Sequence, residues 1–166
     1  ISEKVNSELE DLEMQNAKFS VKVKYDENKN FTPSGLDKVE FMICTNVGED
    51  EKPLAKIASG GEMARIMLAI KNVLADVDKV ATMVFDEIDT GISGIAANSV
   101  SEKLKAISKK HQVLCVTHLA NIAAKGDYNY FISKAVEENR TKTNIRRLNE
   151  EETIKEIARI ASRKYK

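Results

Sequence analysis

At 166 residues the chain has the length of one domain, with a core that removes about 70% of its unfolded surface from water, so metal or disulfide staples are not needed. Lys plus Arg and Asp plus Glu balance at 26 each, which excludes bulk positive charge as a source of salt-driven nucleic-acid binding and leaves only local contacts for that role. Cys44 and Cys115 sit inside apolar runs without C-x-x-C spacing, so buried free thiols in a reducing, cytosolic compartment are expected, not a bridge or a metal site.

From Ser2 to about Gln15 the sequence is charged, with Val5, Leu9 and Leu12 spaced for one helical stripe. That stripe suits either the end of a long helix or coiled coil, or a short amphipathic helix lying on the domain. Phe19 to Tyr25 alternates and Val39 to Thr45 is mostly apolar, with Pro33-Ser34-Gly35 in the Asp26 to Lys38 stretch between them. This predicts a hairpin with a long loop. Asn46 to Lys56, polar with Gly48 and Pro53, reads as a mobile connection.

After Ser59 the period changes, and Met63, Ile66, Met67, Ile70, Val73 and Leu74 fall on one helical face. Val80 to Phe85 is a largely continuous apolar run, suited to a strand buried on both faces of a parallel sheet. A helix over about Ile95 to Ser108 leads to a second such strand at Gln112 to Val116, an order that implies a right-handed parallel crossover. Tyr128 to Ser133 and Thr143 to Leu148 predict a closing hairpin. Asn149 then caps a last helix with Ile154, Ile157 and Ala161 facing inward. No apolar run approaches the roughly 18 residues of a membrane span and no signal peptide is evident. The chain begins at Ile1, and a piece of a longer polypeptide is expected.

Three places carry chemistry. Ser59-Gly60-Gly61-Glu62 opens the strongest helix. A capping box accounts for Ser59 and Glu62 but not for two glycines, each costing roughly 1 kcal/mol in a helix relative to Ala. Something is expected to come close there, and backbone N–H groups at a positive helix end without a Cβ in the way suit an anion such as a phosphate. Asp86 and Glu87 end the first buried strand, at the carboxyl edge where open α/β sheets bind ligands. One carboxylate there could simply be solvated. The dense Asp86-Glu87-Ile88-Asp89 cluster instead suggests that Asp86 holds Mg²⁺ and Glu87 takes a proton from an attacking water, the two side chains diverging by strand alternation. Thr117-His118 follows the next strand on the same edge, making His118 a candidate phosphate sensor, although a lone His is usually structural. His111, in a Lys109-Lys110-His111 turn, reads as solvated. None of the seven glycines opens a G-x-x-x-x-G-K-[ST] phosphate loop, so only half of a nucleotide site is present.

Ile57-Ala58-Ser59-Gly60-Gly61-Glu62, then a buried strand ending in Asp86-Glu87, then Thr117-His118, is the motif order of ABC-type ATPase heads. In detail, Phe85 to Gly94 and Val116 to Ala120 resemble the RecN family, bacterial SMC-like DNA-repair ATPases, over nearly the whole chain. The resemblance implies an α/β fold, the C-terminal lobe of an ABC/SMC-type P-loop NTPase head. That lobe has a mostly parallel sheet flanked by helices, with added β-hairpins. Residues 1–16 would end a coiled coil and 17–166 would form the lobe. It further implies that Ser59, Gly60, Gly61 and Glu62 form the signature motif for ATP on the opposite head, that Asp86 is the Walker B carboxylate for Mg²⁺, and that Glu87 is the general base. Asp89 would belong to the loop that communicates across the dimer, and His118 would be the switch histidine.

Implied partners are an N-terminal Walker A lobe of the same protein, a second head in a homodimer, and DNA through the full-length protein, in a cytoplasmic, nucleoid-associated setting without a membrane. The lobe alone should not hydrolyse ATP, and it should expose an apolar surface where its partner lobe docks. Ala58 stands where ABC signatures commonly have Leu, the Ala-Leu-Asp of transporters is missing after Glu87, and the tail from Ser162 matches nothing in the family. Two other classes fit parts of the pattern: a non-catalytic dimerisation or DNA-bridging module, and the head of another SMC-like or transporter ATPase.

Overall fold

The computed structural model describes residues 1–25, 33, 35–57, 59–92, 94–137 and 140–162. It divides into two compact units, Ile1–Val116 and Thr117–Lys166. Most of the loop expected between the first two strands lies outside the described residues, as do Ala58, Ser93 and the tail 163–166.

In the first unit, helix α1 (Ser2–Asp11) packs on α2 (Gly60–Leu74) and buries Val5 and Leu9, with Leu12 just beyond its end. Polar side chains fix this packing. The Asn6 amide donates to Phe19 O (3.1 Å) and accepts from Phe19 N (2.7 Å), which ties α1 to strand β1 (Lys18–Tyr25). Glu8 accepts from Asn72 of α2 (2.6 Å) and from Lys103 (2.9 Å) of α3 (Gly94–Ile107), so one carboxylate joins three helices.

Strands β1 and β2 (Asp37–Cys44) form the expected antiparallel hairpin, in register from Lys18↔Cys44 to Tyr25↔Asp37. Its base is core, with Phe19 and Ile43 buried, whereas Val23 and Val39 near the far end are exposed. The 46–56 segment is more ordered than its polar composition implies. Lys52–Pro53 forms a short strand β3 on β2, paired as Met42↔Pro53 and Ile43↔Lys52, and a single 3₁₀ turn, Leu54–Lys56, follows. A proline fits an edge strand because that strand's outer side needs no donor.

The α2 helix buries a different face from the one its apolar residues outline. Gly61, Arg65, Ile66, Leu68, Ala69 and Ile70 are buried, while Met63, Met67, Val73 and Leu74 are half-buried. Small residues and an arginine share the inner face because α2 is wedged between α1 and α3. Strands β4 (Thr82–Phe85) and β5 (Gln112–Cys115) pair in parallel from Thr82↔Gln112 to Phe85↔Cys115, with α3 as the crossover. The expectation that the first strand is buried on both faces is wrong. Met83 and Phe85 are buried, but Val84 is 67% exposed, and its cross-strand neighbour Leu114 and then Val116 continue an open apolar row. A sheet covered on one face alternates, and here the outer side of the alternation is also apolar.

His111 is likewise corrected: it is not solvated but buried. Nδ1 lies 2.6 Å from Val80 O and Nε2 lies 3.1 Å from Ala75 O. The ring donates to one carbonyl or the other according to its tautomer, and to both as an imidazolium. It thereby clamps the α2-to-β4 connection to the start of β5. Next to it, Lys71 Nζ and the Val80 amide bond Asp78 (2.5 and 3.0 Å) and hold its carboxyl below the ordinary carboxylate value.

In the second unit, a short helix α4 (Ala120–Ala123) precedes the hairpin of β6 (Tyr130–Glu137) and β7 (Arg140–Arg147), paired from Tyr130↔Arg147 to Glu137↔Arg140. Asn149 caps α5 (Glu150–Ser162) as expected: Glu152 N donates to its Oδ1 (2.9 Å) and its own N donates to Glu152 Oε2 (3.0 Å), a reciprocal capping box. The predicted inward face is off by about one residue. Ile154 and Ala161 point outward, Ile157 is half-buried, and Thr153, Glu156 and Ile160 share its side. The cap and the Arg146–Glu152 ion pair (2.7 Å) anchor the first turn, and they set the phase of the helix where the isoleucine pattern does not.

Replacing His111 with Ala should lower the unfolding free energy of the chain by about 1–3 kcal/mol, read from urea titration, because a buried ring and its hydrogen bonding to the Val80 and Ala75 carbonyls are lost. Acid titration tests Asp78. Its folded pKa lies below the ordinary 3.8, so its contribution is complete above that value and is lost as pH falls through the folded value. Asp78→Asn should therefore remove part of the acid-side loss of stability.

Candidate functional site

Strand β4 ends at Phe85, so Asp86 and Glu87 lie just past the strand and not on its pleat. Strand alternation therefore does not set the directions of these two side chains. Glu87 adopts the left-handed region, with φ 58°, and the turn closes through Thr90 N donating to Glu87 O (3.0 Å). Asp86 Oδ1 accepts from Glu87 N (2.9 Å), which fixes the carboxylate at the turn's entrance. Both carboxylates are exposed, whereas Ile88 and Asp89 are buried. Ile88 anchors the turn to the core, and this lets two charged groups project from it.

The start of α2 comes to meet this turn. Ser59 Oγ accepts from Glu62 N at 3.4 Å, a long N-cap contact that realises the Ser half of the capping box. The two glycines have a purely internal explanation. A Cβ on Gly60 would lie 2.0 Å from Glu87 Oε2, and one on Gly61 would lie 2.9 Å from Thr90 O and 3.3 Å from Glu87 O. What comes close to the bare helix end is therefore the chain's own Glu87–Thr90 turn. The structure thus brings Gly60 and Gly61 against Glu87 and Thr90, with Ser59 and Glu62 on the same helix end and Asp86 and Asp89 on the same turn.

Arg65, one helical turn after Gly61, was missed by the sequence reading. It is 8% exposed, and its Nη1 donates to Thr90 O at 2.9 Å. Burial works against its charge, while Glu62 supports it. A usable signal existed: a charged residue one turn on from a paired glycine, on the same face as Leu68 and Ala69. Cys115, paired with Phe85, is a half-buried free thiol whose pKa is pushed up to about 12 by burial, with the charges of Asp89 and Asp86 adding to the effect. It stays a neutral neighbour of the acidic turn.

His118 is exposed and sits inside an ST-turn in which Leu119 N donates to Thr117 Oγ1 (3.0 Å). It belongs to the second unit. Asp86 and Glu87, with which it was expected to lie, belong to the first unit. A cleft of about 550 Å³ in the second unit, lined by Tyr128, Arg147, Asn149 and Thr153 among others, contains none of the sequence-predicted site residues. Among the described residues no group of three or more His, Cys, Asp or Glu gathers as a metal cage. A lone strand-end Asp86 nevertheless suits Mg²⁺, which commonly uses one or two carboxylates with waters and substrate phosphates. No helix among the described residues is long and apolar enough to cross a membrane.

The fold has counterparts among solved structures. The Smc head domain of Pyrococcus yayanosii matches with TM-score 0.63 at 18% identity, over 96% of this chain and 29% of that one. A chain solved in work on ATP-driven dimerization and DNA-stimulated activation of SMC ATPases matches with TM-score 0.54 at 19% identity, over 96% and 90%. The fold is that of a lobe of an ABC/SMC-type ATPase head.

Within that class the sequence is homologous to the bacterial DNA repair protein RecN. It is 43% identical over 162 residues to RecN of Halalkalibacterium halodurans, covering 96% of this chain and 29% of that protein. It is 49% identical over 128 residues to RecN of Treponema pallidum, covering 77% and 22%. The chain thus spans less than a third of the length of these relatives. No family model matches it.

The two glycines should respond differently to a methyl group. Gly61→Ala strikes backbone and should destabilise the chain by about 1–3 kcal/mol. Gly60→Ala meets only the end of a flexible carboxylate and should stay within about 0.5 kcal/mol, with thermal unfolding as the readout for both.

Proposed function

We propose that this chain is the C-terminal lobe of a RecN-like ATPase head that serves DNA double-strand-break repair and recombination, completed by an N-terminal Walker A lobe and by a second head. The observation that carries the reading is the convergence of the α2 start on the acidic turn, with Gly60 and Gly61 lacking the Cβ that would strike Glu87 and Thr90. RecN similarity at 43% identity over 162 residues supports it.

On this reading the Ser59–Glu62 helix end presents backbone N–H groups to the γ-phosphate of ATP held by the opposite head. Asp86 would help to hold Mg²⁺, which would supply neutralisation of the charge that develops on the phosphates. Glu87 accepts a proton from the attacking water, His118 senses the γ-phosphate, and Asp89 steadies the turn that communicates across the dimer. The phosphate loop and its lysine come from the other lobe, whose docking would cover the open Val84–Leu114–Val116 row. DNA engages the complete protein, in the cytoplasm at the nucleoid.

The purified chain should show no steady-state ATP hydrolysis, because positioning drives phosphoryl transfer and the phosphate cradle is supplied elsewhere. Mixing with a separately expressed Walker A lobe should restore turnover, and Glu87→Gln should reduce it by about 100-fold or more while nucleotide-dependent dimerisation persists. Turnover that survives Glu87→Gln would rule out Glu87 as the base. Nucleotide-driven dimerisation without turnover in the unaltered pair would favour a non-catalytic bridging module.

A further inference from the structure

We infer that Arg65 is a positioning residue that tethers the Glu87–Thr90 turn to the α2 helix, so that the helix start and the Glu87 carboxylate keep a fixed geometry. The inference about catalysis rests on Glu87 acting in ATP hydrolysis; the tether itself does not.

Three observations carry it. Arg65 is the buried cation of α2, and its Nη1 reaches the Thr90 carbonyl, 25 residues along the chain, at 2.9 Å. That carbonyl is the same atom that a Cβ on Gly61 would approach to 2.9 Å, so helix and turn touch through backbone while the guanidinium bridges the contact. The turn also needs holding: Glu87 sits at φ 58° and Gly91 at φ 72°, both left-handed. For an L-residue such as Glu87 the left-handed region costs roughly 1–2 kcal/mol and persists only where surrounding contacts over-determine it. Within the turn, the Thr90 N to Glu87 O bond fixes the curl, and Arg65 fixes the curl to the helix.

Burial of an arginine for packing alone would be a poor solution. Its charge is disfavoured there, and among the described residues its Nε has no acceptor. A leucine would fill the same inner face beside Leu68 and Ala69 without that penalty. What a leucine cannot supply is a donor to a backbone carbonyl on another element. The planar guanidinium does so while keeping its stem in the core, which a lysine ammonium does with less geometric control. The consequence for chemistry is directional. A displacement of the turn by about 1 Å would shift the Glu87 carboxylate relative to the Ser59–Glu62 helix end and to an attacking water.

Amide hydrogen exchange on the chain, and turnover in the head reconstituted with a Walker A lobe, test the two halves separately. Arg65→Gln should speed exchange at Thr90 by about tenfold while leaving β1, β2 and α3 unchanged. The same variant should lower kcat by on the order of 100-fold, with KM for ATP moved less than about threefold. Arg65→Lys should recover part of both effects, and Gly61→Ala, which pushes the same carbonyl from the other side, should mimic Arg65→Gln. Unchanged exchange at Thr90, or faster exchange throughout the first unit without rescue by Lys, overturns the tether. Faster exchange at Thr90 with kcat intact, where Glu87→Gln abolishes turnover, overturns the positioning role. If Glu87→Gln itself leaves turnover intact, the catalytic reading of Glu87 falls, and the exchange result still decides the tether.

Discussion

The contact between the start of α2 and the turn after β4 organises the first unit, since each side makes the other's conformation tenable. Gly60 and Gly61 give up side chains so that Glu87 and Thr90 can approach, and Arg65 bridges from the helix to Thr90 O. Buried Ile88 anchors the turn from within while Asp86 accepts from the Glu87 amide at its entrance. The rest of the unit holds α2 itself in place. Glu8 links it to α1 and α3 through Asn72 and Lys103, and His111 fastens the segment that leaves α2 to the strand that follows α3. Charged and polar side chains thus set the angles between elements, and apolar burial supplies most of the driving force.

How much of this could be read from the chain depended on the range of each interaction. Both hairpins, the α2 helix, the strand–helix–strand order and the Asn149 cap follow from periodicity and punctuation within about ten residues. The misreadings are non-local. His111 looked solvated because Lys109 and Lys110 flank it, yet its partners lie 31 and 36 residues back. The inner faces of α2 and α5 were drawn from apolar residues alone. In α2 the face includes Gly61, Ala69 and an arginine that neighbouring elements require, and in α5 it is set by an ion pair and a cap. β3 was hidden by its proline and by a length of only two residues.

For the site, residue types were legible and relations were not. The doubled glycine announced a close approach, and the acidic cluster marked the end of the strand. That the two meet each other, across 25 or more residues, is a property of the fold, and Arg65 was invisible because counting apolar positions passes over a charged residue on the inner face. His118 shows the complementary limit, since its place after β5 is local information while its distance from Asp86 is a matter of two separate units.

The left-handed backbone of Glu87 bears on how this protein would respond to selection for stability alone. At φ 58° a glycine, or to a lesser degree an asparagine, is the residue that backbone energetics favour. A screen for heat resistance would accordingly tend to replace Glu87, and each such replacement would delete the carboxylate beside Gly60. Backbone energetics alone do not favour glutamate there, so at this position thermal robustness and the retained acidic group pull in opposite directions.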